Sequence, residues 1–452
     1  MTTTLQQTAR PAPAGRATPH KVLAKAGLYV FLLANAAFVT YLFNAAGVGS
    51  NKLINFGRLT GLYGALAMAF QLLLVARLPW LDRRLGMDKL TSWHRWVGFT
   101  IFWMLIGHLT FIAFGNAGSD GPIAEVLRQA TELEGILRAL VAWAIIMIVG
   151  VVSARFARRR MAYETWHFIH LYTYIAIFLA FTHQVAVGST FRKSELATAY
   201  WWGLWAFALG AVFVGRVALP FWRNWRHQFR VAAVVPEAHN VVSVYIEGKD
   251  LDQLGAKAGQ FFLWRFLTKD RWWQANPFSL SAAPNGKYLR LTAKALGTGS
   301  ADIRNIKVGT RVFAEGPYGA FTTMHQTRPN ALLVAGGVGV TPIRALLEEI
   351  KGHVVVLYRV SDPREAVLLR EIEGLVRAKG AVLRLVTGSS KTITANGPLL
   401  GPNNIAALVP DVEERDIFIC GPNGMTDAVV RSLDELGVPG KQVHAERFAL
   451  AN

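Results

Sequence analysis

The sequence predicts a bundle of six membrane helices followed by two further domains, a β-barrel and an α/β domain with a parallel sheet. Three observations support this fold class. Six long apolar stretches lie in the first half of the chain. Short β-rich runs separated by Gly, Pro and Asn begin at about Phe229 and are typical of an antiparallel barrel. From Asn330, buried-type strands alternate with helical segments, which indicates a parallel sheet.

The composition excludes several classes of protein. The 452 residues are 52% hydrophobic, far more apolar than a disordered chain. Cys420 is the one cysteine, which rules out a disulfide framework, four-cysteine iron–sulfur clusters, cysteine-built structural zinc and covalent c-type haem attachment. The net charge of +19 is concentrated in residues 1–230, which carry 23 Lys and Arg against 8 Asp and Glu. Because this half also holds the apolar stretches, the charge indicates a membrane protein and not a nucleic-acid-binding one.

Each apolar stretch can cross a hydrocarbon core of about 30 Å, which needs roughly 20 helical residues. The predicted spans are residues 26–46, 58–77, 93–114, 137–155, 165–187 and 198–219, after a flexible tail at 1–25. Lys and Arg are concentrated in the tail, in the second and fourth loops and after the sixth span, whereas the third loop is acidic. The positive-inside bias therefore predicts that both termini and the C-terminal domains are cytoplasmic.

Four histidines lie inside the predicted spans, where ionisable side chains are costly and point to function. His94 and His108 lie 14 residues apart in the third span, and His170 and His183 lie 13 apart in the fifth. At about 1.5 Å per residue, each helix offers one imidazole near the inner face and one near the outer face. Two stacked haems clamped between these helices would use all four as metal ligands. The alternative is a set of interhelical hydrogen-bonding histidines.

Three details of this site stay open. Thirteen residues do not return to the same helix face, so either the two haems lie at different azimuths or the fifth span contains a wide turn. His167, one turn before His170, is an alternative inner ligand. Arg58, at the outer end of the second span, is expected to attract a haem propionate or a small anionic intermediate, unless it is an interfacial Arg that snorkels.

Two stretches of the β-rich region could bind a flavin nucleotide. In the first, an aromatic ring, hydroxyls and backbone groups along one strand could hold an isoalloxazine and its ribityl chain. Its residues are Asn276, Pro277, Phe278, Ser279, Leu280 and Ser281. In the second, Lys294 precedes a turn with Gly299 and Ser300 that opens a short helix, whose free amides suit a pyrophosphate. An ordinary edge strand and a capped turn are the alternatives.

The α/β region carries two loops at strand ends. The first, between a strand and a helix, contains Gly336, Gly337, Gly339, Val340, Thr341 and Pro342. Thr341 is the predicted helix N-cap and Pro342 the first helical residue. Pro342 stands where a dinucleotide fingerprint has its last Gly, which argues against an ordinary Rossmann dehydrogenase. The second loop, Cys420-Gly421-Pro422, ends the last strand where ligands bind in open α/β sheets, although Cys420 could simply be a buried small hydrophobe.

Together these features resemble the NADPH oxidase and ferric reductase superfamily, prokaryotic type, over about residues 26–452. In that superfamily a ferric-reductase-like transmembrane domain with two haems is fused to a ferredoxin–NADP reductase-like module. The resemblance implies a membrane domain at 26–222, an FAD-binding barrel at 223–328 and an NAD(P)-binding domain at 329–452. It also implies that the inner haem lies between His94 and His170 and the outer haem between His108 and His183.

The implied activity is that of an NAD(P)H oxidase or ferric reductase in a bacterial plasma membrane. Electrons would pass from cytosolic NAD(P)H through FAD and the haems to a small external acceptor, either oxygen, giving superoxide, or a ferric chelate. The alternative is a membrane electron-transfer subunit that reduces a partner protein or quinone. No obligatory protein partner is expected.

The resemblance assigns further roles and shows two departures. Cys420 would lie beside the nicotinamide, and Phe448 resembles the terminal aromatic that covers the flavin. Arg359, after the second parallel strand, favours NADPH, with NADH possible. Asn276 replaces the usual His of the flavin segment, and Ile112 stands where oxidase members often carry a distal His. The second departure gives weight to an acceptor other than oxygen.

Overall fold

The computed structural model describes residues 19–133, 135–158, 160–161, 163–238, 240–294, 302–389 and 391–447. The chain divides into two compact units. One, called here the membrane unit, consists of Leu23–Leu81 and Met87–Leu219. The other, called here the C-terminal unit, consists mainly of the residues from Pro220 onward.

The first half of the chain is helical. Its helices are α1 (Pro19–Ala45), α2 (Lys52–Val75), α3 (Pro79–Leu85), α4 (Met87–Asn116), α5 (Gly121–Glu132), α6 (Ile136–Ser153), α7 (Arg155–Arg158), α8 (Tyr163–Val187), α9 (Ser189–Arg192), α10 (Glu195–Phe213), a π-helical turn (Val214–Ala218) and α11 (Leu219–His227). Within the described part of the chain, six helical segments are long and apolar enough to span a membrane, which confirms the six predicted spans. They are α1, α2, α4, α6, α8 and the continuous segment Glu195–His227.

Within the membrane unit, α2 packs along α4, and α6 packs along α8. Small residues of α2 such as Ala65 and Ala69 are buried in a core shared with Trp201 and Trp205 of α10. Large apolar side chains on the outer faces remain exposed, including Phe99 at 58%. Such surface is stable only where lipid covers it, as expected of a membrane bundle.

The acidic third loop contains a helix that hydropathy does not reveal. In α5 the charged residues Glu125, Arg128 and Glu132 lie one turn apart and pair with one another, with Arg128 Nη2 2.6 Å from Glu125 Oε1. Ile123 and Leu127 are exposed on the same helix. Polar and apolar residues alternate in α5, so its mean hydropathy is too low for the helix to be recognised as a membrane span.

The C-terminal unit contains the strands and the remaining helices. The strands are β1 (Arg230–Ala238), β2 (Val241–Glu247), β3 (Phe261–Phe266), β4 (Asn276–Ser279), β5 (Tyr288–Lys294), β6 (Val312–Tyr318), β7 (Ala331–Gly336), β8 (Val354–Val360), β9 (Val382–Thr387), β10 (Ile393–Thr394), β11 (Gly397–Pro398), β12 (Asp416–Gly421) and β13 (Val443–Arg447). The helices are α12 (Val340–Glu349), α13 (Leu369–Lys379), α14 (Pro402–Leu408) and α15 (Asn423–Glu435).

Strands β1 to β6 form two antiparallel three-stranded sheets, in the orders β1-β2-β5 and β4-β3-β6. Single bridges, Arg230 to Arg311 and Leu280 to Leu291, join the two sheets. Fully buried Phe262 and Trp264 lie in the core of this region. The module is therefore barrel-like, but among the described residues the ladders do not close the predicted barrel.

Strands β13, β12, β7, β8 and β9, in that order, form the predicted parallel sheet. Residues of α12 and α13 pack in one hydrophobic core against it, and residues of α14 and α15 pack in a second. Since β7 and β12 are neighbours and parallel, their carboxyl ends lie at the same sheet edge.

Candidate functional site

His94 of α4 and His170 of α8 are brought together inside the membrane unit. Their ring centroids lie 6.0 Å apart, with 62° between the ring planes. Imidazole nitrogen binds a metal such as zinc at about 2 Å, and about 1 Å more to each ring centre gives about 6 Å between two rings that share one metal. The separation therefore admits one metal ion between the rings. Among the described residues no group of three or more His, Cys, Asp or Glu side chains could hold a metal ion.

His108 is oriented by the helix beside it. Its Nδ1 lies 2.7 Å from the carbonyl oxygen of Gly57 in α2. Since a carbonyl only accepts, Nδ1 carries the proton and Nε2 keeps its lone pair for a metal. His183 packs beside Gly135 at the start of α6. His108 thus has a nitrogen available for a metal, and its pairing with His183 at a second haem stays a prediction.

The open question of helical phase has a structural answer. Helix α8 is α-helical throughout Tyr163–Val187, and the π-helical turn lies instead in the sixth span. Without a wide turn, His170 and His183 leave α8 in different directions, which supports different azimuths for the two sites. His170 Nδ1 lies 3.5 Å from Ser153 Oγ of α6, and its ring lies 5.0 Å from that of Trp166.

Two other predicted residues of the membrane unit have protein partners. Arg58 donates to the carbonyl of Gly47 at 3.2 Å and to Thr190 Oγ1 at 3.3 Å, and it lies over the Phe43 ring. Its role toward an anion stays a prediction. The ring of His167 lies 6.3 Å from that of its neighbour Trp166. His170 is the fifth-span residue whose ring contacts that of His94.

The predicted flavin segment forms β4, an edge strand that pairs with β3. Pro277 is exposed and Phe278 is half-buried, so this part of the strand is accessible to a ligand. Asn276 Nδ2 donates to the carbonyls of Trp264 and Gln274, at 3.3 and 3.2 Å. The side chain that replaces the usual His is thus tied to its own loop. Ser279 is 5% exposed at the end of the strand.

Leu280 and Ser281, the last two residues of this segment, are fully buried. Ser281 Oγ accepts hydrogen bonds from Thr292 Oγ1 at 2.7 Å and from Arg290 Nε at 3.0 Å. Arg290 in turn binds Glu371 of α13 at 3.0 Å, and Arg344 of α12 binds the same carboxylate at 2.8 Å. Ser281 therefore belongs to a buried polar network that joins the sheets to the helices. Sequence pattern alone did not reveal Arg290 or Glu371, because the network links distant parts of the chain.

Some predicted residues lie at or beyond the described ranges. Lys294 is the last residue of β5 and pairs with Val241. Gly299, Ser300 and Phe448 lie outside the described residues, so their roles stay predictions.

The two predicted loops of the α/β region meet at the shared edge of β7 and β12. Gly336 ends β7, and Gly337–Gly339 form a 3₁₀ turn that leads into α12. A Cβ on Gly339 would overlap the carbonyl oxygen of Cys420, and a Cβ on Gly421 would lie 2.5 Å from Met425 Cε. Gly337 has a φ of 53°, which favours glycine. These glycines let the loops approach each other closely, as a nucleotide cradle requires.

The predicted cap of α12 is wrong by two residues. The helix begins at Val340, and Gly339 is its N-cap. The hydroxyl of Thr341 donates to the carbonyl of Val338 at 3.0 Å instead of accepting from an amide. Thr341 and Pro342 are buried. The 3₁₀ turn explains the difference, because it brings the chain into helical geometry before the Thr.

Arg359 lies at the same sheet edge, in register with Gly336. The next basic residue, Arg364, is 89% exposed and binds the carboxylate of Asp362 at 2.6 Å. Hydrogen bonds from Arg364 lower the pKa of Asp362 to about 2. Tyr358 is fully buried and donates to the carbonyl of Val367 at 3.1 Å. The guanidinium of Arg359 donates to the carbonyl of Val360, and its role toward a 2′-phosphate stays a prediction.

Cys420 is fully buried in the core of the sheet. Burial raises the pKa of its thiol well above the usual range, and the charge of Glu446 adds to the effect. The thiol is therefore neutral near pH 7 and protected from solvent. Contact with a nicotinamide stays a prediction.

Comparison with known proteins shows three matching families in chain order. "Ferric reductase like transmembrane component" matches residues 60–181, "FAD-binding domain" matches 226–322, and "Oxidoreductase NAD-binding domain" matches 333–431. Six apolar helices followed by these two domains define an integral membrane oxidoreductase. The chain has the domain architecture of the NADPH oxidase and ferric reductase superfamily, which confirms the resemblance drawn from its motifs.

Several curated bacterial proteins are similar in sequence. The flavohemoprotein of Vibrio cholerae is 31% identical over 183 residues, which cover 38% of this chain and 45% of that protein. The flavohemoprotein of Chromobacterium violaceum is 31% identical over 259 residues, which cover 50% and 61%. The glycine betaine monooxygenase reductase subunit of Chromohalobacter salexigens is 26% identical over a region that covers 52% of this chain and 68% of that protein. The chain thus spans about half the length of the two flavohemoproteins.

Solved structures with similarity include the FAD/NAD-binding domain of nitric oxide dioxygenase from Vibrio cholerae. It has a TM-score of 0.39 and 24% identity, covering 49% of this chain and 99% of that one. The ferredoxin reductase in carbazole 1,9a-dioxygenase has a TM-score of 0.41 and 24% identity, covering 49% and 69%.

Proposed function

We propose that this protein moves electrons from cytosolic NAD(P)H to a small acceptor on the opposite side of the membrane, with FAD and two b-type haems as carriers. The observation that carries the proposal is the 6.0 Å separation of the His94 and His170 rings, in a chain with FAD- and NAD-binding domains. The basic loops and the acidic third loop support a cytoplasmic C-terminal unit.

The four histidines would serve as two pairs of metal ligands. His94 and His170 would hold the inner haem, and His108 and His183 the outer one. Bis-histidine haem iron takes up and releases one electron at a time. The protein would also fix the tautomer of a ligand so that one nitrogen stays free for the metal, as the Gly57 carbonyl does for His108.

The C-terminal unit would bind the flavin along β4 and the nicotinamide nucleotide at the edge of β7 and β12. FAD can accept a hydride and deliver its two electrons singly, which links a two-electron donor to one-electron haems. Overall, one NAD(P)H yields NAD(P)⁺, one proton and two electrons, and these reduce two equivalents of a one-electron acceptor. The absence of side chains at Gly339 and Gly421 lets the two loops pack together, and the nucleotide would bind at the edge that they form.

The acceptor is proposed to be oxygen or a ferric chelate. Ile112, one turn beyond His108, packs against Gly57 and offers no hydrogen-bonding group. The Ile112 side chain therefore cannot donate a proton to bound oxygen. We therefore place ferric chelates beside oxygen as substrates to be tested.

The experiment that tests this function begins with the purified full-length protein. Dithionite-reduced minus oxidised spectra should show low-spin b-type haem at two per chain, and absence of haem would refute the proposal. Turnover is then measured with NADPH or NADH and with oxygen or ferric chelate, using sealed vesicles of known orientation. Rapid haem reduction without turnover of either acceptor would favour the alternative, a subunit that reduces a partner protein or quinone.

A further inference from the structure

Helix α2 carries no proposed haem ligand, yet it contacts both histidines of α4. Gln71 Nε2 lies 3.4 Å from His94 Nε2, and the Gly57 carbonyl lies 2.7 Å from His108 Nδ1. The same 14 residues separate Gln71 from Gly57 and His108 from His94. The two separations match because α2 packs along α4, so that 14 residues along either helix lead from one histidine contact to the other.

Gly57 and Gly61 give the His108 ring its place. A Cβ on Gly61 would lie 2.6 Å from His108 Nδ1 and 2.8 Å from Cε1, closer than van der Waals contact allows. A Cβ on Gly57 would lie 2.7 Å from Ile112 Cδ1. The imidazole therefore rests on the backbone of α2, in space that only glycine leaves. One turn along, a Cβ on Gly64 would make an ordinary 3.5 Å contact with Leu105.

Gln71 lies beside His94, but at the other ring nitrogen: the Gln71 amide is near His94 Nε2, whereas the Gly57 carbonyl is near His108 Nδ1. A Cβ on Gly98 of α4 would lie 3.4 Å from Gln71 Nε2, in ordinary van der Waals contact, so Gln71 packs against α4 there. Within the described part of the chain, Gln71 Oε1 and His94 Nδ1 are both buried without a hydrogen-bond partner. Turned so that Oε1 accepts a proton from His94 Nε2, the Gln71 amide would leave Nδ1 for a metal, and buried polar groups without partners are costly.

We propose that α2 orients both α4 histidines, through the Gly57 carbonyl at His108 and the Gln71 side chain at His94, and so gives the two haems different surroundings. This inference rests on the proposed function, because it concerns the ligands of the two haems. A carbonyl that accepts the Nδ1 proton makes the imidazole a stronger ligand. Gly57, Gly61 and Gln71 are therefore positioning residues, each acting on one site.

The test uses the full-length protein with its haems and compares Gly61→Ala, Gln71→Met and the matched control Gly64→Ala. Haem content, the low-temperature EPR signals of the ferric haems and a redox titration are measured for each variant. Such partners are typically worth 10–100-fold in metal affinity. If a variant changes the affinity for only one oxidation state of the haem tenfold, the one-electron reduction potential shifts by about 59 mV.

We expect Gly61→Ala to change the EPR signal and raise the potential of the outer haem alone, or to release it. Gln71→Met should change the inner haem alone, and Gly64→Ala should change neither. A His183→Ala background, which keeps only the inner haem, assigns each signal. If both haems keep their signals and potentials in Gln71→Met and Gly61→Ala, or if both shift together, the inference is wrong. Absence of haem from the unmodified protein would instead refute the proposed function.

If the Gly61→Ala protein does not accumulate, Gln71→Met still tests the inference. Met is nearly isosteric with Gln, and the substitution leaves the α2–α4 backbone contact unchanged. Retained FAD and normal reduction of the flavin by NADPH show in each variant that the C-terminal unit is intact. An unchanged inner haem in Gln71→Met would then overturn the inference.

Discussion

Gly339 packs directly against the carbonyl oxygen of Cys420, so that the turn after β7 and the end of β12 touch. The two residues belong to motifs 81 positions apart in the chain. Their contact brings both predicted nicotinamide loops to one sheet edge, where open α/β sheets bind ligands. The shape of the proposed nucleotide site therefore depends on the absence of a side chain at residue 339.

Gly339→Ala should weaken NAD(P)H binding and lower stability. The added methyl group overlaps the Cys420 carbonyl, and overpacking of this kind costs about 1–3 kcal/mol. We expect the KM for NAD(P)H to rise about tenfold and the melting temperature to fall. Gly374→Ala is the matched control, since a Cβ in that helix meets nothing within 4 Å. The control should be neutral or more stable by about 0.5–1 kcal/mol. Equal KM values for the two variants would contradict the prediction.

Arg359→Ala should alter coenzyme preference. A charged hydrogen bond to a phosphate is worth about 1.5–3 kcal/mol, so the KM for NADPH should rise roughly 10–100-fold while that for NADH changes little. Arg364→Ala should have a smaller effect, because Arg364 is exposed and binds Asp362. That pair contributes to stability above the unfolded pKa of about 4 and loses its contribution as the pH falls toward 2. A parallel loss of NADPH and NADH binding in Arg359→Ala would show that the residue does not read the 2′-phosphate.

The sequence was sufficient to predict features that repeat along one element. The six spans, the paired histidines and the strand–loop–helix pattern around Gly336 depend on local composition and spacing, and the structure has the six helices and the parallel sheet. The 14-residue step of His94 and His108 already indicated two sites at different depths. The identical step on α2 was present too, but glycine and Gln offer no chemical signal of their own.

Features that depend on packing between distant segments were not predictable. The cap of α12 moved to Gly339 because a 3₁₀ turn precedes the helix. The hydroxyl of Ser281 binds Thr292 and Arg290 in a buried network that the sequence did not indicate, while its contact with a flavin stays a prediction. The direction in which the His183 side chain leaves α8 depended on whether the helix contains a wide turn. The sequence of α8 does not indicate whether it does. In each case a three-dimensional contact decided between local alternatives.

Cys420 should be unreactive in the folded protein. Burial raises the pKa of its thiol, so iodoacetamide should label it at pH 8 only after unfolding in urea. The folded state holds the thiol proton more tightly than the unfolded state. This contribution to stability is therefore complete below the unfolded pKa of about 8.5 and is lost as the pH rises above it. Fast labelling of the native protein, confirmed as specific by its absence in Cys420→Ala, would show that the sheet edge opens.

Glu371→Gln should destabilise the C-terminal unit. The carboxylate binds Arg290, which is 3% exposed, and Arg344, which is 10% exposed. Loss of its charge leaves two poorly hydrated guanidinium groups with weaker acceptors, at a cost of about 1–3 kcal/mol. The fluorescence of released FAD on heating reports the effect as a lower transition temperature. Glu373→Gln on the same helix is the control, because residues two apart lie on different helix faces. A transition unchanged by Glu371→Gln would mean that water replaces the lost charge.

Single-histidine variants separate the two proposed haem sites. His183→Ala should leave one haem per chain, keep reduction of FAD by NADPH and lower external acceptor reduction at least 100-fold. His170→Ala should remove the other haem, because the His170 ring is the one that lies 6.0 Å from His94. His167→Ala should keep both haems, with small spectral changes transmitted through Trp166. Pyridine haemochrome assays and EPR spectra measure these outcomes.

Loss of the inner haem in His167→Ala with retention in His170→Ala would exchange the roles of the two residues. Acceptor reduction at full rate in His183→Ala would exclude the outer pair from the electron path.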